Sequence, residues 1–181
     1  VVGVDMGSTH LTLLLADLAA NVIHESETPF DVTAGPEACL DQLDQAVRQF
    51  LAEAETSKEA VLAFGVGVPG PISSDAATVI APPIMPGWDR YPIRRKLVER
   101  WDRPVSLNND AELGALGEWA YGAGRNEKNL VYVKVGSGIG AGLIIHDRIY
   151  RGETGAAGEI GHLTVRENGP LCSCGNRGCL E

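Results

Sequence analysis

Four side chains that favour a soft metal crowd toward the end of this 181-residue chain: His162, Cys172, Cys174 and Cys179. Three thiolates and one imidazole complete a tetrahedral Zn2+ set. Gly175 and Gly178 let the short loop curl so that the sulfurs meet. The C-x-C-x4-C spacing is not that of an ordinary zinc finger, so the motif is a particular one. A set filled by four protein ligands leaves no open position, which implies a structural metal. The alternative, three unrelated cysteines and a surface histidine, fits poorly with so many glycines between them. Glu159 and Glu181 flank the loop. Two carboxylates and an imidazole converging on one place suit a polyol, whose hydroxyls need several fixed partners. Each Glu alone would read as a solvated charge.

Two further turns have the composition of phosphate sites. Asp5-Met6-Gly7-Ser8-Thr9 ends an apolar strand, and Gly136-Ser137-Gly138-Ile139-Gly140 ends another. Gly lets a phosphate approach the backbone, while Ser8 and Thr9 offer donors. Asp5 suits a Mg2+ ion, directly or through water. D-x-G-x-T alone equally describes a plain turn after a strand. The second turn is followed by strand residues rather than a helix, which disfavours a dinucleotide fold. Facing each other, the two turns would clamp a nucleotide's phosphates.

Asn108-Asn109-Asp110 precedes a helical stretch. Asn and Asp are good N-caps. An Asp in the first turn is also kept ionised by the helix macrodipole, and can accept a proton from an alcohol. Cap and base remain equal readings on these residues alone.

The elements that must carry these groups follow from periodicity. Residues 1–5, 10–18 and 20–28 read as strands, the first three of a meander. Pro36 suits a first helical turn, and Leu40, Leu43, Val47, Phe50 and Ala54 share one face of a helix over 36–54. Cys39 falls near that face and reads as core. A strand over 61–68 enters the Pro69-Gly70-Pro71 loop, and residues 78–86 are extended and Pro-rich before a Gly87-Trp88-Asp89 turn. A short helix over 93–101 and a strand over 104–107 lead to the helix after Asp110, which runs to about 121. Strands over 130–135 and 139–146 flank the second Gly turn, with a third at 149–150. The Gly-rich stretch 122–128 is the expected domain boundary. Residues 1–8 and 130–137 share one pattern, apolar strand then Gly-Ser turn, which suggests a duplicated unit.

Composition narrows the class. A chain 44% apolar and 22% charged can fill a core, and its 22 glycines fit an α/β architecture with tight turns. A net charge of -9 repels a nucleic-acid backbone, so this segment should not bind DNA itself. No apolar run is long enough to span a membrane and no signal peptide opens the chain, which reads as cytoplasmic. The first residue is Val rather than Met, pointing to an upstream piece.

Taken in order, D-x-G-x-T, P-G-P, N-D-A, G-S-G-I-G, G-A-A-G-E-I-G-H and C-x-C-G-N-x-G-C-L-E resemble the ROK family of repressors and sugar kinases, across nearly the whole chain. The resemblance implies an actin-like, hexokinase-type (ribonuclease H-like) α/β fold: a first lobe over 1–122 and the truncated start of a second, with the zinc loop, over 123–181. It implies Asp110 as the base that deprotonates a sugar hydroxyl. Asn109, Asp110, Glu159, His162 and Glu181 then form the sugar set, with Gly70 nearby. Asp5, Gly7, Ser8 and Thr9 would be the first phosphate motif, and Gly136, Ser137 and Gly138 the second. His162, Cys172, Cys174 and Cys179 match the zinc ligands. Two functions follow. One is ATP- and Mg2+-dependent phosphorylation of a hexose or N-acetylhexosamine, which leads slightly because the set is intact. The other is the sugar-sensing domain of a regulator whose helix-turn-helix lies outside this chain. The departures lie at Ser8 and His10, where such kinases carry Gly and then Lys or Asn. The 82–89 loop looks like the family's regulators. Such proteins commonly pair as homodimers.

Overall fold

The computed structural model describes residues 1–73, 78–80, 82 and 85–181. It divides into two compact units, Val1–Asn108 and Asn109–Glu181.

In the first unit, strands β1 (Val2–Met6), β2 (His10–Ala16), β3 (Val22–Pro29), β4 (Phe64–Val68) and β5 (Val105–Asn109) form one sheet in the order β3-β2-β1-β4-β5. Strands β1 and β2 are antiparallel with Met6 opposite Leu11, and β4 runs parallel to β1 with Gly67 opposite Asp5. Alternation explains the pairing. Val2, Val4 and Met6 of β1 and Leu11, Leu13 and Leu15 of β2 are buried, while the residues between them are not. A one-residue slip would turn all six outward. Strand β3 stands at the edge and is mostly exposed, as its charges allow.

Helix α1 (Pro36–Glu53) starts on Pro36 and buries Cys39, Leu40, Leu43, Val47, Phe50 and Leu51. Fully burying one such aliphatic or aromatic side chain contributes about 1.5–3 kcal/mol, so this face outweighs the helix's own propensity. Cys39 is core, as its position indicated, and its Sγ lies 3.3 Å from the Asp31 carbonyl. Burial pushes its thiol upward. Helix α2 (Ile93–Trp101) buries Ile93, Leu97 and Trp101 at four-residue spacing and ends on Asp102 in the left-handed region. Trp88, expected in a turn, is fully buried and donates Nε1–H to the Val32 carbonyl at 3.1 Å. Its turn is thus anchored from inside. The extended Pro-rich stretch lies partly outside the described residues, at Ala81, Pro83 and Ile84.

The second unit packs helix α3 (Asp110–Ala120) on an antiparallel sheet of β6 (Asn129–Val135), β7 (Ile139–Ile145) and β8 (Arg148–Ile149). The two compact units part at 108/109, with α3 in the second. The reason is α3 itself. Its small residues Ala111, Gly114 and Ala115 let it close on β6 and β7, and the Gly-rich stretch is only the turn that follows. The two Gly-Ser hairpins, β1–β2 and β6–β7, are both antiparallel and both joined by three residues. Among the described residues no helix is long and apolar enough to cross a membrane.

Candidate functional site

Asn109 is the N-cap of α3: its Oδ1 accepts from the N–H groups of Ala111 at 2.9 Å and Glu112 at 3.1 Å. Asp110 is therefore the first helical residue, in the field of the helix N-terminus. Both its oxygens are engaged. Oδ1 accepts from the Ala111 N–H at 2.7 Å, and Oδ2 accepts from Lys134 Nζ at 2.7 Å. Lys134 lies on β6 and carries no motif. Its one trace in the sequence is a charge inside the apolar run Leu130-Val131-Tyr132-Val133-Lys134-Val135.

Glu159 precedes the short 3₁₀ turn Ile160–His162, and glycines seat this turn on β7. A Cβ on Gly161 would lie 2.2 Å from the Ile139 carbonyl oxygen, and one on Gly158 only 1.9 Å from that of Ala141. The backbone can come this close only without side chains. Burial pushes the Glu159 carboxyl upward; His162 opposes this, while Asp110 and Glu181 reinforce it. Asp110, Glu159 and Glu181 thus lie near enough to feel one another. Glu181 also accepts from the Ile139 N–H at 2.9 Å, beside the Gly136–Gly138 turn.

The side chains of His162, Cys172, Cys174 and Cys179 place their ligand atoms within 4.8 Å of one another. Cys174 Sγ and Cys179 Sγ are 3.8 Å apart, and Cys172 Sγ is 3.7 Å from His162 Nδ1. A tetrahedral ion with bonds of about 2.3 Å to sulfur has ligand edges of about 3.8 Å, so the residues fit zinc. The thiols cannot all ionise side by side unaided. Cys172 is held down to about 6, first by the Cys174 N–H, whereas Cys179 is pushed up to about 11 by burial and then by its neighbours. A divalent cation removes that conflict. His162 turns Nδ1 toward the thiols and Nε2 toward Glu159 Oε2 at 3.8 Å. A metal on Nδ1 would leave the proton on Nε2, as a fixed donor.

Arg151 Nε meets Glu112 Oε2 at 2.9 Å, tying the start of α3 to the segment that leads to Glu159. Glu112 is buried, and burial pushes its carboxyl above the ordinary 4.5 while Arg151 opposes. Removing Arg151 strands a buried charge. Arg151→Met is expected to cost about 2 kcal/mol at pH 7 by urea unfolding. The deficit should shrink as pH falls toward 4.5, because a protonated Glu112 needs no partner. The Glu112→Gln/Arg151→Met pair should recover most of it.

In the first unit, Asp5 and Gly67 are paired positions on β1 and β4, and Gly70 follows β4 with φ +85°. Gly7 donates its N–H to the His10 carbonyl at 2.9 Å, inside its own turn. The His10 ring folds back so that a Cβ on Gly7 would lie 3.0 Å from its Cε1. Thr9 Oγ1 lies 3.5 Å from His10 Nδ1. Imidazole thus covers the glycine that a phosphate would approach. The Asn109-to-Glu181 set, the four candidate metal ligands and the Gly136–Gly138 turn all lie in the second unit, whereas Asp5, Gly7, Ser8, Thr9 and Gly70 lie in the first.

The ROK family model matches residues 1–181. The chain is 36% identical over 181 residues to a putative xylose repressor of Caldicellulosiruptor sp. (strain Rt8B.4), covering 100% of this chain and 45% of that protein. It is also 36% identical to the glucokinase of Halalkalibacterium halodurans, covering 99% and 54%. Among solved structures it resembles a ROK family glucokinase from Streptomyces griseus in complex with glucose and AMPPNP, at TM-score 0.83 and 32% identity, over 98% of this chain and 55% of that one. The fold is therefore the actin-like α/β fold. The chain spans about half the length of the curated relatives it matches.

Proposed function

Because the chain belongs to the ROK family, we propose that its second unit binds a sugar and, in the whole protein, acts as the sugar-sensing domain of a regulator. Asn109, Asp110, Glu159, His162 and Glu181 hold the sugar. The carboxylates accept from its hydroxyls, and His162 Nε2–H donates. A structural Zn2+ on His162, Cys172, Cys174 and Cys179 fixes the imidazole's tautomer and aim.

The observation that favours sensing over phosphorylation is the Lys134–Asp110 pair at 2.7 Å. A general base needs a lone pair aimed at the hydroxyl it deprotonates. Lys134 takes one of the lone pairs that Asp110 could turn on that hydroxyl, whereas a sensor needs only its shape and hydrogen bonds. The imidazole of His10 over Gly7 points the same way, since phosphate needs that approach. The second reading, ATP- and Mg2+-dependent phosphorylation of a hexose or N-acetylhexosamine, is supported by the complete polar set and by the glucokinase relatives. In it, Asp5, Gly7, Ser8, Thr9, Gly136, Ser137 and Gly138 serve the phosphates and Asp110 is the base.

A coupled ATPase assay on the full-length protein separates the two, run beside calorimetry on a panel of xylose, glucose and N-acetylhexosamines. Sensing predicts saturable heat for at least one sugar and no sugar-dependent turnover. Turnover that rises with sugar overturns it. Asp110→Asn should shift sugar affinity by less than about tenfold, since the amide keeps the shape. In the enzyme reading it would abolish turnover.

A further inference from the structure

We propose that Arg151 and Glu112 are a positioning pair for the sugar site: their bond sets how the first turn of α3 stands against the segment that carries Glu159, and sugar affinity depends on it. This role rests on the sugar-binding reading above.

Stability does not account for the pair. Glu112 is the one charged residue that is buried among the described residues. Burying a carboxylate against a guanidinium returns little over well-packed apolar side chains of the same size. What the 2.9 Å bond from Arg151 Nε to Glu112 Oε2 adds is direction. Helix α3 lies on β7 through the Ala111 backbone and the Ala115 methyl, over Gly142. Such small, smooth contacts set its distance but resist its rotation weakly. A directed bond at the first turn supplies that restraint.

Both ends of the bond lead to sugar residues. On the helix, the Glu112 N–H donates to Asn109 Oδ1 at 3.1 Å, and Asp110 lies in the same turn. Asn109-x-x-Glu112 has the spacing of a capping box, whose acid ordinarily turns back to the cap's own N–H. Glu112 turns Oε2 to Arg151. On the loop side, the Arg151 carbonyl accepts from the Ala157 N–H at 3.1 Å and closes residues 151–157 on themselves. Gly152 at φ +68° and Gly155 at φ +81° make the bends. The Gly158 carbonyl then accepts from the Ala141 N–H of β7 at 2.8 Å, and Glu159 follows. A closed loop moves as one piece. Fixing its base to α3 therefore fixes Glu159 against Asn109 and Asp110.

The test uses the full-length protein and the sugar panel in calorimetry. Glu112→Gln/Arg151→Met removes the bond without leaving a buried charge, whereas Glu112→Gln alone keeps an acceptor for Arg151. The double variant should bind sugar at least about tenfold more weakly while unfolding in urea close to wild type. Glu112→Gln alone should stay within about threefold. Glu118→Gln, at the far end of α3, should leave affinity unchanged. In amide exchange, the Ala157 N–H should open at least about tenfold faster in the double variant, with the β7 amides unchanged. Glu112→Met/Arg151→Met leaves no buried charge or amide, and repeats the test should the first pair of changes not fold. Wild-type affinity in the double variant, unchanged exchange at Ala157, or an equal loss in Glu112→Gln or Glu118→Gln overturns the positioning role and leaves the sugar reading standing. No sugar heat from the wild type overturns both.

Discussion

Cys179→Ser is expected to abolish zinc binding and to weaken sugar binding about 100-fold, the upper end of what loss of a supporting metal contact costs. Serine does not ionise near neutral pH, and its shorter bond cannot keep the 3.8 Å edge that Cys179 shares with Cys174. The consequences reach the sugar through two routes. His162 loses the ion that would hold Nδ1 and so the aim of Nε2 toward Glu159. Glu181 loses support, because the loop that an ion would fasten at Cys179 runs on to Glu181 and its bond with Ile139. Freshly purified wild type should hold about one zinc per chain by plasma mass spectrometry. The variant should hold none, with its sugar heat lost in calorimetry. Cys39→Ala is the matched control: its sulfur is buried in the first unit and should leave zinc content unchanged. Zinc-free wild type, or a zinc-free variant that still binds sugar normally, would sink the buttress role.

The Cys/His cluster was legible because its members lie close in the chain and its chemistry depends on residue type. The strands and helices were legible for a similar reason: Val2, Val4 and Met6, or Ile93, Leu97 and Trp101, announce their period locally. Lys134 was not. It meets Asp110 across 24 positions, and no motif ties a strand lysine to a helix-cap aspartate. Arg151 and Glu112 meet across 39 positions, and each reads in the sequence as a surface charge. Glycine density marks turns of any kind, so it does not show which sheet α3 packs against. That packing, of α3 on β6 and β7, is a tertiary fact. The proposed sugar set is implied by resemblance rather than by spacing. The structure adds a contact that resemblance does not give, Lys134 on Asp110.

Gly142→Ala tests whether α3 must lie tight on β7 for the site to exist, and it should cost about 3 kcal/mol. A Cβ there would stand 2.3 Å from the Ala111 carbonyl oxygen and 2.5 Å from Ala115 Cβ. Neither obstacle is the tip of a flexible side chain, so the helix itself must shift. Asn109 and Asp110 ride on its first turn, and Lys134 stays on β6. The shift therefore pulls the Asp110–Lys134 pair apart as well as loosening the core. Sugar affinity should fall about tenfold or more even at temperatures where the variant remains folded, because misplacement of about an ångström at a binding group is costly. Gly117→Ala, on the exposed side of the same helix with nothing within 4 Å of the added methyl, should do the opposite. It should raise stability by about 0.5–1 kcal/mol through helix propensity alone and leave sugar affinity unchanged. Thermal unfolding and calorimetry on both variants read the contrast. If Gly142→Ala melted with the wild type, the close packing of α3 on β7 would be refuted, and with it the reason Asn109 and Asp110 stand where they do.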